Sequence, residues 1–427
     1  MTCPATALGS LLRSARIILA AALAFSALGA CQGTLVEKGA TRQVSPPPAP
    51  EQPGEPPLTA APVAPVTVES APGGQGTEGA APPSSEGGRQ PVKVALLLPL
   101  SGQSAPLGRA LLNAAELALF DGADQGFALL PRDTEGSAEG AERAGRAVLG
   151  EGAKLILGPF FAAEVSAVTP LARAAGVNVV AFSTDEGVAG QGVFLIGFLP
   201  RSQVARVVSY AHAQGYGRFA AVVPDTAYGS TMADLLRAVV AADGAQVADI
   251  ETYDPAANNA ADAVRRLAPG SFDAVMLPEG GERLLALAPL FPYYDIDPTH
   301  VRLIGTGLWD DPRLGNEPAL IGAWYAAADP RARADFERHY AGLYGAAPPR
   351  ITTLGYDATA LAAALARSPA GPDFSLAALT NANGFSGVDG IFRFRADGLN
   401  ERGLAVLEIQ RDGPRVVSPA PTSFVGE

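Results

Sequence analysis

Residues 94–102 read Val94-Ala-Leu-Leu-Leu-Pro-Leu-Ser-Gly102, and they open the regular part of the chain. The run 94–98 is apolar without interruption, and Pro99 ends it. A short loop then leads into a segment with apolar residues at helical spacing, namely Leu107, Leu111, Leu112, Ala115 and Leu119. An uninterrupted apolar strand followed by an amphipathic helix is typical of a parallel sheet that is covered by helices on both faces.

The same alternation continues along the chain. The predicted strands are 94–98, 127–130, 155–157, 177–182, 219–223, 247–253, 274–277 and 303–304. The predicted helices are 106–120, 137–149, 163–175, 202–214, 229–242, 258–268 and 281–290. Two helices near 331–344 and 352–367 follow, and strands return at 391–394 and 404–409. About 325 residues of this pattern exceed one hydrophobic core, so an α/β fold with two lobes is predicted.

The first residues have the order of an export signal. Arg13 and Arg16 precede an apolar run over 17–25, and small residues come next. This run is shorter than the roughly 20 residues that cross a bilayer. The sequence Leu28-Gly-Ala-Cys31 resembles the lipobox of bacterial lipoproteins, in which the Cys carries the lipid. The resemblance implies a lipoprotein signal peptide over 1–30 and a membrane anchor on Cys31.

Residues 31–91 differ in composition from the rest. Pro, Gly, Ala, Ser and Glu dominate there, and large apolar side chains are sparse. Such a segment cannot bury enough apolar surface to offset the entropy of ordering, so we expect a disordered stalk. The folded domain is expected over 92–427.

Charge and residue inventory exclude several classes of function. The chain has a formal net charge of −12, which disfavours nucleic acid as a partner. It has 3 His, and none has the spacing of metal ligands. Cys3 lies in the predicted signal, so no Cys nucleophile remains in the mature chain. The chain lacks a phosphate-binding loop and a serine elbow. We therefore expect no enzymatic activity, no metal and no cofactor.

Motifs in a fixed order resemble the type I periplasmic binding proteins of the leucine-binding group. They are 94–102 with Asn113-Ala-Ala-Glu116, Leu157-Gly-Pro159, Ala227-Tyr-Gly229 and Gly387-Val-Asp-Gly-Ile-Phe-Arg-Phe394. The match spans about 93–415. The resemblance implies two lobes, each a parallel sheet covered by helices, joined by three crossovers near 199, 325 and 390. Lobe 1 would take about 92–198 and 325–388, and lobe 2 about 199–324 and 389–420.

One branch of that family is similar in further segments. The runs 177–183, Leu308-Trp-Asp-Asp-Pro312 and the helix with Phe336 and Tyr340 resemble the penicillin-binding protein activators, which are lipoproteins. This resemblance implies a non-enzymatic activator of peptidoglycan synthases. Gln32 is not the Asp that often retains lipoproteins in the inner membrane, so it favours an outer-membrane anchor in the periplasm.

The family resemblance places a ligand cleft between the lobes, at the carboxyl ends of the strands. The candidate cleft residues are Ser101, Gly102, Phe160, Phe161, Ser183, Thr184, Tyr228, Glu279, Trp309, Asp310 and Tyr356. Several have a structural alternative: Ser101 and Gly102 as a turn, Ser183 and Thr184 as caps, Glu279 as a helix-terminal charge and Trp309 as a core residue.

Two classes of function therefore stay open. The first is the activator, whose partner is a peptidoglycan synthase. The second is the solute receptor of an ABC importer for amino acids or similar small molecules, whose partner is the ABC permease. Amino-acid binders of the family carry a Ser near Phe160 and Phe161, and a Phe side chain cannot donate that hydrogen bond. A small-molecule or peptide ligand is compatible with either class.

Overall fold

The computed structural model describes residues 91–122, 127–257 and 259–424. The predicted signal peptide, Cys31 and the stalk up to residue 90 lie outside these residues. The described chain forms one compact unit with two main sheets and a small third one. Among the described residues, no helix is long and apolar enough to cross a membrane.

The first sheet consists of five parallel strands in the order β2-β1-β3-β4-β5. These strands are β1 (Val92–Leu98), β2 (Phe127–Asp133), β3 (Leu155–Leu157), β4 (Asn178–Ala181) and β5 (Val193–Leu195). The connecting helices are α1 (Ala105–Gly122), α2 (Ala138–Gly150) and α3 (Ala162–Ala174).

The second sheet has seven strands in the order β15-β14-β10-β9-β8-β6-β7. The strands are β6 (Arg218–Pro224), β7 (Gln246–Tyr253), β8 (Ala274–Met276), β9 (Arg302–Gly305), β10 (Trp324–Ala327), β14 (Ala405–Glu408) and β15 (Arg415–Ser418). The helices beside them are α4 (Pro200–Ala213), α5 (Ala227–Ala242), α6 (Ala260–Leu267), α7 (Gly281–Leu287) and α8 (Leu290–Tyr293). The strands from β10 to β7 are parallel, whereas β14 and β15 pair antiparallel.

The remaining elements lie between β10 and β14 in the chain. They are α9 (Pro330–Tyr344), α10 (Thr353–Ala366), α11 (Leu376–Leu379) and the antiparallel strands β11 (Phe385–Gly387), β12 (Gly390–Phe394) and β13 (Asn400–Arg402). Helix α10 packs along α1, and Asn113 on α1 lies within hydrogen-bond distance of Tyr340 on α9. These helices therefore cover the first sheet although they follow the second sheet in the chain.

Both faces of each main sheet are buried, which explains the continuous apolar runs. In β1, Val94, Leu96 and Leu98 contribute to the core on one face, whereas Ala95 and Leu97 contribute to the core on the other. In β6 the neighbouring residues likewise separate into two cores. Alternate side chains point to opposite faces of a strand, so a sheet with helices on both sides needs apolar residues at every position.

The predicted α/β fold with two lobes and helix-covered parallel sheets is confirmed. Five short strands were not predicted: β5, β10, β11, β13 and β15. The return to the second sheet also differs from the expected crossover near 390. Phe392 and Phe394 pack in the core of the first sheet with Val94, and the chain rejoins the second core only at Leu404. The antiparallel pairing of β12 with β11 and β13 holds this segment beside the first sheet.

Candidate ligand-binding cleft

A cavity of about 320 Å³, here called the central cavity, lies at the carboxyl ends of strands from both main sheets. This is where parallel α/β sheets usually bind their ligands. Its walls come from the loops after β4, β5, β6, β9 and β10, from the first turns of α4 and α5, from the segment that precedes α10 and from the end of β13 with the residues that follow it. The lining residues are Thr184, Phe198, Leu199, Pro200, Ser202, Gln203, Tyr228, Thr306, Gly307, Leu308, Asp310, Ala327, Ala328, Arg350, Ile351, Arg402 and Leu404.

Tyr228 stands in the first turn of α5 and contributes to the wall of the central cavity. The turn into this helix is tight, because a Cβ on Gly229 would lie 1.8 Å from the carbonyl oxygen of Pro224. The phenol is hydrogen bonded to the side chain of Thr306. Desolvation raises the pKa of Tyr228 to about 12. The hydroxyl is therefore protonated at neutral pH and can serve as a donor.

Asp310 also lines the central cavity, but its carboxylate is already engaged. Arg333 Nη2 lies 2.8 Å from Asp310 Oδ2, and Arg350 Nε lies 3.1 Å from the same oxygen. The Asp310 side chain is only 8% exposed. A ligand ammonium would have to compete with two guanidinium groups for this carboxylate.

Glu279 and Trp309 form a buried group behind the cavity wall, and neither lines the central cavity. The Tyr253 hydroxyl donates to Glu279 Oε1, and the indole Nε1 of Trp309 donates to the Glu279 carbonyl oxygen at 2.9 Å. A Cβ on Gly305 would lie 2.1 Å from the Trp309 ring, so only glycine leaves room for the indole. Trp309 is thus a core residue, and the alternative of a stacking surface for a ligand does not fit this position.

Ser183 and Thr184, the two hydroxyl residues in the loop after β4, have different surroundings. Thr184 lines the central cavity. Ser183 is buried, and its Oγ accepts a hydrogen bond from the Asp185 N–H at 3.1 Å. Ser183 therefore shapes the turn, as its structural alternative predicted.

Ser101 and Gly102 are exposed in the loop between β1 and α1 and lie outside the lining of the central cavity. The Asp133 carboxylate accepts hydrogen bonds from the Leu100 and Ser101 N–H groups at 2.8 and 3.2 Å. These bonds fix the loop across the ends of β1 and β2.

Phe160 and Phe161 follow β3 and make an edge-to-face contact with each other, their ring centroids being 5.1 Å apart. Their backbone N–H groups donate to Glu164 Oε2 at 3.2 and 3.0 Å. Thr134 donates to the other Glu164 oxygen at 2.6 Å, and burial raises the pKa of this carboxyl. The backbone N–H groups that follow β3 are therefore already hydrogen bonded to Glu164. Neither Phe lines the central cavity.

Tyr356 lies away from the central cavity, in contrast to the expectation that it would face the cleft. Its hydroxyl donates to Asp121 Oδ2 at 2.9 Å, and its ring contacts Phe336 with centroids 5.5 Å apart. This group joins α1, α9 and α10 on the first sheet. Cys31, the predicted lipid site, lies outside the described residues.

Most of the lining residues were not among the predicted ones, and Phe198, Arg350 and Arg402 form a cluster within that unpredicted group. The guanidinium carbons of Arg350 and Arg402 lie 4.7 and 4.9 Å from the centroid of the Phe198 ring. Phe198 and Arg402 stand on segments that connect the lobes, and Arg350 stands between α9 and α10, so the three are far apart in the sequence. No local motif marks them, so only the tertiary structure reveals the cluster.

The family profile described as periplasmic binding protein matches residues 91–414. A protein from Rhodospirillum rubrum, assigned to a branched-chain amino acid ABC transporter, is 21% identical with a TM-score of 0.68, and the match covers 77% of this chain and 100% of that one. An ABC transporter substrate-binding protein from Sphaerobacter thermophilus is 20% identical with a TM-score of 0.64, covering 78% and 98%. A solute binding protein from R. palustris in complex with benzoate is 20% identical with a TM-score of 0.57, covering 78% and 97%.

A curated relative is an uncharacterized protein of Rickettsia prowazekii (strain Madrid E). It is 23% identical over 154 residues, and the match spans 34% of this chain but only 41% of that protein. Since the solved structures are all near 20% identity, their likeness establishes a shared fold.

Proposed function

This chain belongs to the periplasmic binding protein family, and from that premise we propose that it is a periplasmic receptor that holds a small solute in the central cavity. The observation that carries this proposal is the position of the cavity. It lies at the carboxyl ends of strands from both sheets, with Thr184 from one sheet and Tyr228 from the other in its wall. A solute between two lobes can stabilise their closed arrangement, which a partner can then recognise.

An ABC permease is the proposed partner. Similar solved structures are the substrate-binding parts of such transporters, and one of them holds benzoate. We further propose that the lipid on Cys31 anchors the protein to a membrane, with residues 32–91 as the spacer. Catalysis is not part of this proposal.

The test is a thermal-shift screen of the full-length protein against a library of amino acids, organic acids, amines, sugars and short peptides. A ligand that binds only the folded state raises the melting temperature. Leu308→Trp should abolish the shift, because Leu308 lines the central cavity and an indole there would fill it. Leu376→Trp is the matched control, since Leu376 is also about half exposed but lies outside the cavity. If no compound gives a shift that Leu308→Trp removes, the receptor proposal fails.

A second candidate function is the activation of a peptidoglycan synthase. The observation that favours it is that the acidic side chains expected to bind an amino acid already interact with other residues of the protein. Glu279 is bonded to Tyr253, and Asp310 is paired with two arginines. A domain that has lost its solute would be free to act through protein contacts alone. Crosslinking of the native lipoprotein in cells, with identification of the captured partner, separates a synthase from a permease.

A further inference from the structure

The acidic side chain in the wall of the central cavity is already bound on both of its oxygens. Asp310 is the one carboxylate among the lining residues. Arg333 Nη2 donates to Asp310 Oδ1 at 3.0 Å, and Arg350 Nε donates to Asp310 Oδ2 at 3.1 Å. A ligand ammonium would therefore lose its water shell without gaining a free carboxylate, which is strongly unfavourable.

Arg350, which also lines the cavity, is held between two carboxylates. Its Nε binds Asp310, and its Nη1 and Nη2 lie 3.1 and 2.8 Å from the two oxygens of Asp389. This second pair has the bidentate geometry of a strong guanidinium–carboxylate contact. An anionic ligand would have to displace one of these carboxylates against the repulsion of the other. Arg350 is therefore a poor site for a ligand carboxylate.

Arg402 is the third charged lining residue, and its side chain is only 2% exposed. Its Nη2 donates to the Ile196 carbonyl oxygen at 2.7 Å, and its Nη1 lies 3.9 Å from Asp357 Oδ2. A side chain with so little exposed surface does not contact a ligand directly. Among the lining residues, no charged side chain therefore has a free site for a ligand charge.

Hydroxyl groups are the polar groups of the wall that remain available. Thr184 and Ser202 line the cavity, and neither has a hydrogen-bond partner among the described residues. Tyr228 is 38% exposed and is hydrogen bonded to Thr306. Thr306 Oγ1 accepts from the Leu308 N–H at 3.5 Å, and its hydroxyl can donate to the phenol oxygen. This arrangement leaves the Tyr228 proton for an acceptor on a ligand.

The rest of the wall is mainly apolar. Besides Phe198, it consists largely of aliphatic side chains: Leu199, Leu308, Ala327, Ala328, Ile351 and Leu404. The Gln203 amide is used within the protein, since its Oε1 accepts from the Gly307 N–H at 2.7 Å and its Nε2 donates to the Phe198 carbonyl oxygen at 3.1 Å. A ligand that fits this wall has a hydrocarbon body and an uncharged oxygen function.

We propose that the central cavity binds a small uncharged organic solute that has an apolar body and a carbonyl oxygen, and that the Tyr228 hydroxyl donates to this oxygen. This inference rests on the proposed receptor function, and it names the class of solute. It excludes carboxylates, amines and free amino acids as good ligands, because each would bring a charge for which the wall has no free partner.

The first experiment compares three compounds of nearly the same shape by calorimetry with the full-length protein at neutral pH. They are 4-phenylbutan-2-one, 3-phenylpropanoate and 4-phenylbutan-2-amine, and the set is repeated with 5-methylhexan-2-one, 4-methylpentanoate and 5-methylhexan-2-amine. We expect at least one of the two ketones to bind with a Kd below about 100 μM, and at least tenfold more tightly than the matching acid and amine. An acid or amine that binds as tightly as its ketone overturns the inference, and so does the failure of both ketones to bind.

The second experiment uses the ketone that binds. Tyr228→Phe should weaken its binding about fivefold or more, because the carbonyl oxygen loses its donor while the aromatic ring stays in the wall. Tyr293→Phe is the matched control, since Tyr293 is 76% exposed and lies outside the central cavity, and it should leave the affinity unchanged. Unchanged affinity in folded Tyr228→Phe overturns the inference.

The third experiment tests whether ion pairing is what excludes anions. Asp310→Asn frees Arg350 from one of its two carboxylates, so the matching acid should bind at least about tenfold more tightly than to the wild type, while the ketone should change by less than about threefold. Asp234→Asn removes an exposed pair with Arg237 outside the cavity and should change neither affinity. An acid that gains nothing in folded Asp310→Asn overturns the inference. If circular dichroism shows that this variant does not fold, the comparison of ketone, acid and amine in the wild-type protein decides alone.

The outcomes separate this inference from the function on which it rests, once the ketones are added to the thermal-shift library. If the ketones fail while a charged compound or a sugar gives a shift that Leu308→Trp removes, the receptor function stands and the uncharged class is wrong. If no compound of the library gives such a shift, both are wrong.

Discussion

Arg350 Nε lies 3.1 Å from Asp310 Oδ2, so an ion pair joins the segment before α10 to the loop after β9. Helix α10 packs on the first sheet, and β9 belongs to the second. Arg350 also pairs with Asp389 at 2.8 Å, and Arg333 pairs with Asp310 at 2.8 Å. This network therefore links the lobes at the edge of the central cavity.

Asp310→Asn tests the contribution of that link. The change leaves two arginines, one of them largely buried, without their shared carboxylate, so we expect the free energy of unfolding to fall by about 2 kcal/mol. Urea unfolding followed by tryptophan fluorescence measures it. Asp234→Asn removes an exposed pair with Arg237 and should change the free energy by less than about 0.5 kcal/mol. Equal effects in the two variants would show that the network does not stabilise the fold.

Tyr253→Phe tests the buried bond to Glu279. Without the phenol hydroxyl, the Glu279 carboxylate loses a donor while 7% exposed, and we expect a loss of about 2 kcal/mol in the free energy of unfolding. Tyr293→Phe is the control, because Tyr293 is 76% exposed, and it should have an effect below about 0.5 kcal/mol. Thermal and urea unfolding of both variants give the comparison. A Tyr253→Phe protein as stable as wild type would contradict this account of Glu279.

The raised pKa of Asp357 predicts that the stability of the protein depends on pH. Burial raises the pKa of Asp357 from the ordinary 3.8 to about 7, so between these values the unfolded chain has released this proton and the folded chain keeps it. The free energy of unfolding therefore falls as pH rises through that window, by about 1.4 kcal/mol for each unit of raised pKa.

Asp357→Asn provides the measurement, since Asn cannot titrate and can still accept the hydrogen bond from the Val388 N–H. The difference in unfolding free energy, wild type minus variant, should become more negative from pH 4 to pH 7. Asp335→Asn, at a side chain that is 89% exposed, should run parallel to wild type. A constant difference for Asp357→Asn would contradict the raised pKa.

Cys31→Ser tests the anchor that the sequence predicts. Cys31 follows the lipobox-like Leu28-Gly-Ala, and the other Cys, Cys3, lies within the predicted signal. The variant should therefore lack lipid and appear in the soluble periplasmic fraction, because lipid chains supply the membrane affinity. Fractionation of cell extracts at high salt without detergent is the measurement. A variant that still sediments with membranes contradicts the anchor.

The fold could be predicted well from the sequence where apolar residues occupy every position of a strand. The run Val94–Leu98 is apolar because both faces of β1 are buried, and the same pattern located most strands of the two main sheets. Strand β5 was missed because its three residues stand between glycines at 190, 192 and 197. Strand β10 was missed because it has four residues and two of them are alanines, which strands disfavour.

The cavity was harder to predict than the fold. Thr184, Tyr228 and Asp310 could be selected because the resemblance to the leucine-binding group places these positions in the cleft, and all three line the central cavity. Trp309 was selected by the same resemblance and Tyr356 because it lies near a helix start, but their contacts come from Glu279 and Asp121, which are distant in sequence. Arg402 follows no motif. Its place depends on β13 pairing beside the first sheet, which local sequence does not specify.

The packing of Phe392 and Phe394 in the same core as Val94 has a consequence for how the protein is made. An exported chain emerges with its amino end first, so β1 to β5 appear early, whereas α10 and β12, which cover one face of that sheet, emerge close to the end. Until then α1 is the helix that covers that face, and the apolar surface that α10 and β12 will cover is open to self-association. The core of the first lobe is therefore completed only after the chain has emerged as far as β12. A chain truncated before β12 would be a target for periplasmic chaperones and proteases, because it could not close a core that its own last segments complete.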